Sequence, residues 1–181
     1  MPRPVLLIAG GSRGIGAATA RLAGQRGYDV AVNYKSNAVA AALVVDAVKA
    51  SGGKAVAIPG DMAIEQDIER VFDSTTKALG PITHFVHSAG LGGKNSRLDA
   101  ASAATIREVI DVNLYGGILC ARAAVRRMST AHGGSGGSIV TTPALLYLLQ
   151  VEPKSAIAMS LGIVAITATI TAIQHWWRGN V

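Results

Sequence analysis

A chain of 181 residues, half of them apolar and 15% charged, has enough apolar material for one packed domain and too little charge for a disordered one. The net charge of +6 comes from scattered Lys and Arg residues, with Arg126-Arg127 adjacent, and only two Phe and two Trp accompany them, which reads as a solvated face and argues against a nucleic-acid surface. The single Cys120 excludes an intramolecular disulfide and, without a CxxC, a Cys/His metal cluster; a reducing, cytoplasmic setting and no metal are expected, and the apolar run in Met1 to Ala9 is too short for a signal peptide.

The apolar residues fall into an alternating series. Val5 to Ala9 is a short apolar run ending in glycines and predicts a buried strand. Ile15, Ala18, Leu22 and Ala23 recur at helical spacing, so Ile15 to Arg26 predicts a helix, stopped by Gly27. Tyr28 to Asn33 predicts a second strand, the alanine- and valine-rich Asn37 to Ser51 a second helix, and Lys54 to Pro59 a third strand. Glu65 to Leu79, with Ile68, Val71, Phe72 and Leu79 in phase, predicts a third helix ended by Gly80-Pro81, and Ile82 to Val86 a fourth strand. Ala101 to Met128 is long enough for one extended helix, with Ile106, Val109, Ile110 and Leu114 on one side and, with Met128, serving as core or dimer surface. A glycine-rich loop comes next at 133–137, and Ser138 to Thr142 predicts a fifth strand. Continuous apolar strands joined by helical crossovers imply a parallel sheet covered on both faces.

The string Ile8-Ala9-Gly10-Gly11-Ser12-Arg13-Gly14-Ile15-Gly16 lies where the first strand gives way to the first helix. A helix N-terminus carries unpaired N–H groups and a partial positive charge, and glycines let the backbone approach a pyrophosphate closely. The position therefore favours a dinucleotide site over a flexible turn. Gly10 is expected to make the tight turn, Gly16 to allow close packing of helix on strand, and Ser12 to satisfy loop N–H groups. His84 and His87 lie on or beside a buried strand, with no partner pattern for a metal or a triad, so packing is their expected role.

The spacing Gly-x-x-x-Gly-x-Gly, unlike the common Gly-x-Gly-x-x-Gly, resembles the cofactor loop of the short-chain dehydrogenase/reductase family. Gly60-Asp61-Met62 resembles the family loop in which an Asp contacts adenine; Asp61 also suits a cap for the helix near Glu65. His87-Ser88-Ala89-Gly90 stands where the family has Asn-Asn-Ala-Gly, Asp111-Val112-Asn113 looks like the segment carrying its catalytic Asn, and Gly136-Gly137-Ser138-Ile139-Val140 looks like the approach to its catalytic Ser. The resemblance covers residues 4 to 142 and is nearest to the sugar-dehydrogenase-like, NADP-dependent branch. It implies an α/β, Rossmann-like, doubly wound parallel sheet, a small carbonyl or alcohol substrate, a homo-oligomer, and Asn113 as catalytic residue. The cofactor-binding residues it implies are Gly10, Ser12, Arg13, Gly14, Ile15, Gly16, Asn33, Tyr34, Lys35, Asp61, Met62, Ser88, Ala89 and Gly90. The second strand ends Val32-Asn33-Tyr34-Lys35, without the acid that selects NAD, and Arg13 and Lys35 suit a 2′-phosphate, so NADP is expected over NAD. For Lys35 a solvated loop residue is the alternative.

The resemblance implies Ser, Tyr and Lys as the proton-transfer residues, the last two as Tyr-x-x-x-Lys on one helical face. Four places after Tyr28, Tyr34, Tyr115 and Tyr147 stand Val32, Ala38, Leu119 and Val151, and the Ser position falls near Ala144. Composition changes at the same point: residues 143 to 181 hold only Glu152, Lys154 and Arg178 as charges. The chain divides into a dinucleotide-binding domain at 1–142 and a divergent apolar segment at 143–181, with the fold truncated at its C-terminal end. A changed reading frame or a rearranged gene end is the expected origin of the segment; divergence in register, keeping Ser160 and Gly162, is the alternative. Two further readings stay open. One is a non-catalytic NADP(H)-binding relative, a sensor or partner subunit. The other is a membrane tail anchor at Ser155 to Ile173, whose threonines and serines weaken it.

Overall fold

The computed structural model describes residues 2–91, 98–134 and 136–141. The sequence-predicted features beyond Thr141, among them Tyr147 and the apolar run from Ser155, lie outside the described residues. Five parallel strands, β1 (Val5–Ala9), β2 (Asp29–Tyr34), β3 (Ala55–Pro59), β4 (His84–His87) and β5 (Ser138–Thr141), form one sheet in the order β3-β2-β1-β4-β5. The chain first builds outward from β1 through α1 (Gly14–Gln25), α2 (Ala38–Ala50) and then α3 (Glu65–Leu79), and returns to lay β4 on the other side of β1. That reversal of direction is the doubly wound arrangement expected from the alternation of elements.

β1 explains why two helical layers are needed. Its side chains alternate across the sheet, as the pleat requires. Leu6 and Ile8 join the cluster of Ala17, Ala20 and Ala23 from α1 with Val44, Val45 and Val48 from α2. Val5, Leu7 and Ala9 join the opposite cluster with Ile68, Val71 and Phe72 of α3 and Leu119, Cys120 and Ala123 beyond it. Leu7 and Ile8 have no exposed surface, and full burial of each such side chain is worth ~1.5–3 kcal/mol. The alanines on α1 let that helix lie close to the sheet.

The extended helix expected over Ala101 to Met128 forms from Ala103 onward, but with one π turn inside it. Ser102 caps a short helix, α4 (Ala103–Ile110), accepting from the Thr105 N–H at 3.2 Å; a π turn comes next at Asp111–Tyr115, and α5 (Gly116–Met128) continues. The backbone stays right-handed throughout, so sequence periodicity could not register the one widened turn. Gly116, directly after it, packs so tightly on the β3–α3 loop that a Cβ there would lie 2.0 Å from the Met62 carbonyl oxygen. Of the expected stripe, Ile106, Ile110 and Leu114 remain exposed, while Met128 is buried. The Arg126-Arg127 pair is also more than a solvated face. The Arg127 guanidinium reaches Glu69 and Asp73 of α3, each at 2.7 Å, and lies over the Phe72 ring. Such pairing across elements has no local sequence signal.

His87 is the large polar side chain sealed in this core. It is fully buried, and among the described residues neither ring nitrogen has a hydrogen-bond partner. Burial pushes its pKa from 6.5 down to about 4. The folded state keeps the ring neutral, whereas the unfolded chain takes up a proton below its ordinary pKa. Stability is therefore full above about pH 6.5 and is lost as pH falls from there toward 4. By linkage the loss attributable to His87 at pH 5 is about 2 kcal/mol. Urea unfolding at pH 7.5 and pH 5 will show a stability difference that shrinks by about that amount in His87→Asn; an unchanged difference removes the assignment.

Candidate functional site

At the carboxyl ends of β1 and β4, where the direction of sheet growth reverses, a cleft of about 620 Å³ opens. Its walls are Gly10, Ser12, Arg13, Gly14 and Ile15 from the β1–α1 turn, Asn33 to Asn37 from the end of β2, Gly60 to Met62 after β3, and Ser88 to Leu91 after β4, with Val112 from the π turn. Thirteen of the sequence-predicted cofactor residues line this cleft, so residues from four separate turns meet in one place. Gly16 does not. Its place is behind the wall, where a Cβ would sit 2.3 Å from the Gly10 carbonyl oxygen, so it permits the close packing of α1 on the turn. Ser36, Asn37, Gly60, Leu91 and Val112 are further lining residues. Gly60 belongs to the Gly60-Asp61-Met62 motif, and Asn37 caps α2, its side chain accepting from the Ala40 N–H at 2.9 Å.

The glycine turn is held in a shape that other residues resist. Gly10 has φ +74°, and a Cβ on it would lie 2.6 Å from the Ala89 backbone. The turn delivers the chain into α1, whose first turn has no acidic residue and no side-chain cap. By contrast α2 is capped by Asn37, and α3 carries Glu65 and Asp67 in its first turn. The positive end of α1 is thus left for something in the cleft to satisfy, and an anion suits it.

Asn33 fixes the floor. Its side chain is buried, accepts from the Gly10 N–H at 3.1 Å, and donates to the Ile58 and Gly60 carbonyls at 3.3 and 3.0 Å. Its own carbonyl accepts from the Gly11 N–H at 2.8 Å. One residue therefore ties the glycine turn to the end of β3, and most of its side-chain hydrogen-bonding capacity is taken up by backbone.

Lys35 and Asp61 face each other across the end of β2, with Nζ and a carboxylate oxygen 2.7 Å apart. The other Asp61 oxygen accepts from the Ala63 N–H at 3.0 Å. The expected capping of α3 by Asp61 does not occur. Ile64 flanks that helix, and Asp61 stands too far upstream, so its side chain closes a local turn. The group that reaches back from the first turn of α3 is Asp67, which accepts from the Asp61 N–H at 2.8 Å. That backbone donor, together with Arg70 at 2.6 Å, holds the Asp67 carboxyl below its ordinary range.

Asn113 lies on the π turn and is nearly buried. Its side-chain oxygen accepts from the Leu91 N–H and its amide donates to the Leu91 carbonyl, both at 2.8 Å. The alternative of a buried, hydrogen-bonded Asn is thus the arrangement seen, and it clamps the backbone just after Gly90. His84 bonds to the Thr83 hydroxyl at 2.9 Å and meets the Tyr28 ring edge-on, away from the cleft lining. Among the described residues no group of His, Cys, Asp and Glu could hold a metal, and no helix is long and apolar enough to cross a membrane.

Comparison with known proteins places this architecture. Residues 4–150 match the family model described as short chain dehydrogenase. The chain is 40% identical over 136 residues to the uncharacterized oxidoreductase YgfF of Escherichia coli (strain K12), covering 75% of this chain and 55% of that protein. It is 33% identical over 122 residues to glucose 1-dehydrogenase 2 of Bacillus subtilis (strain 168), covering 67% and 47%. A crystal structure of a Burkholderia cenocepacia protein described as a dehydrogenase, with bound NADP, superposes with a TM-score of 0.65 at 27% identity, covering 69% of this chain and 48% of that one. The chain spans about half the length of the curated relatives it matches. With its parallel sheet, its glycine turn at the switch point and a family match over most of its length, the chain belongs to the short-chain dehydrogenase/reductase family, whose members use NAD(P).

Proposed function

We propose that the cleft binds NADP(H) in preference to NAD(H), and that the chain in its present sequence is a nucleotide-binding oxidoreductase relative without effective proton-transfer machinery. The observation that carries the binding half is the cleft itself. An uncapped helix N-terminus and a glycine turn suit a pyrophosphate at one end. Arg13 of that turn and Lys35 from the end of β2 also line the cleft, and β2 ends without a carboxylate, which favours a phosphorylated ribose. Gly10, Ser12, Gly14 and Ile15 would hold the phosphates, Arg13 the 2′-phosphate, and Ser88 to Gly90 the wall toward the nicotinamide. When bound, the nicotinamide supplies the hydride for a carbonyl or accepts one from an alcohol. The exposed Ile106, Ile110, Leu114 and Ile118, four residues apart along α4 to α5, suit burial against a second copy of the chain.

Missing acid-base residues support the catalytic half. No Tyr in the sequence has a Lys four residues later, and the family's Ser position falls at or near Ala144. Tyr34 lines the cleft, Tyr28 packs on His84 and Tyr115 is half exposed. Without an acid-base pair, the ~10²–10⁴-fold that each such group contributes is forgone. Asn113 acts as a positioning residue through Leu91.

Two measurements test this. Arg13→Ala will weaken NADPH binding by ~1–3 kcal/mol and NADH binding by less, since only the former loses a charge-assisted contact. Fluorescence titration with both nucleotides reads this, and equal losses remove the assignment of Arg13. For catalysis, the purified chain with saturating NADPH will reduce sugars, ketones and ketoesters no faster than a blank without protein. Clear turnover that disappears in Tyr147→Phe overturns the inactive reading.

A further inference from the structure

We propose that the Lys35–Asp61 ion pair is a charge lock that sets how strongly the cleft distinguishes a 2′-phosphate from a 2′-hydroxyl. The inference rests on the reading that the cleft takes NADP(H) or NAD(H). Lys35 comes from the end of β2 and Asp61 from the turn after β3, both line the cleft, and their charged atoms are 2.7 Å apart. The two partners are not equally free. Asp61 is anchored at both ends: its free carboxylate oxygen accepts from Ala63, and its N–H is bound by Asp67. Asp67 is in turn held by Arg70, whose guanidinium also donates to the Pro59 carbonyl at 2.9 Å. Lys35 has only its flexible stem, and its side chain is 59% exposed against 20% for Asp61. Lys35 is therefore the partner that moves.

Charge decides the consequence. Arg13 has no ion-pair partner among the described residues, so it meets a ligand phosphate at full strength. Lys35 meets it only by leaving Asp61, and that exchange strands a carboxylate beside the incoming dianion. Asp61 thus withholds most of the attraction that Lys35 could offer to a 2′-phosphate. A nucleotide with a 2′-hydroxyl needs no such exchange and leaves the pair closed. The lock accordingly narrows the NADP preference that Arg13 creates, and Asp61 is a specificity-determining residue against the 2′-phosphate rather than for it.

A double-mutant cycle on the full chain tests this, with binding read by calorimetry for NADPH and NADH at low and moderate salt. Asp61→Asn keeps an oxygen for the Ala63 N–H while removing the charge. It is expected to raise the ratio of NADPH to NADH affinity roughly 5- to 10-fold, an amount in keeping with one released charge-assisted contact. The ratio cancels any loss in contacts to the adenosine portion that both nucleotides share. Lys35→Met is expected to lower NADPH affinity only about 2-fold in the native background but roughly 10-fold with Asn at 61, because only there is the ammonium free. Equal effects of Lys35→Met in both backgrounds, or an unchanged ratio in Asp61→Asn, overturn the lock while leaving the nucleotide reading intact. If neither nucleotide binds the native chain, that reading and the lock fall together.

Discussion

The site depends on the three side-chain hydrogen bonds of Asn33. The cleft is assembled from turns that are distant in sequence, and turns have no regular pattern of their own to fix their relative positions. Asn33 supplies that reference. It sits at the carboxyl end of β2, between β1 and β3 in the sheet, and reaches both neighbours at once. Without it a backbone N–H of the glycine turn and the carbonyls of Ile58 and Gly60 lose these partners, and a typical hydrogen bond contributes about 0.5–1.5 kcal/mol. The same residue holds Gly11 through its own carbonyl. Asn113 repeats the device on the other side, closing on both backbone groups of Leu91. Each wall of the cleft is thus pinned by an amide side chain whose shape matches backbone donors and acceptors.

Those pins work because the backbones come unusually close. Gly10 against Ala89, Gly16 against the Gly10 carbonyl, and Gly116 against the Met62 carbonyl are all contacts that a single methyl group would forbid. The alanine face of α1 serves the same end, since it brings the helix, and with it the positive N-terminal end, down to the sheet edge. Close packing and the shape of the cleft are here one requirement. A helix set farther out would leave its N–H groups too remote to meet a phosphate.

Much of this was legible in the sequence. The strand runs and helix phases placed five strands and the first three helices within a residue or two, because β1 to α3 each bury a continuous or periodic apolar set. The glycine spacing located the cleft, since a turn between a buried strand and a helix leaves little else for such glycines to do. What stayed hidden were properties of pairs. Asn33 and Lys35 are both implied as cofactor residues, and nothing local tells that one is engaged by backbone and the other by Asp61. The π turn was likewise invisible, because one widened turn leaves the apolar phase of Ala103 to Met128 nearly intact. Asp61 as a helix cap was a sound local reading that lost to geometry: the helix begins later, and Asp67 reaches back instead.

The distribution of these parts along the chain separates binding from chemistry. Every described residue lining the cleft lies between Gly10 and Val112, on the β1-to-β4 half of the sheet and the π turn that follows it. Within that stretch lie the glycine turn, the charged pair of Lys35 and Asp61 and the two amide pins. Proton transfer in the family calls for groups placed farther along, where this sequence offers no Tyr with a Lys four residues later. Positioning of charge and transfer of protons are separate physical tasks, and the described cleft is built for the first.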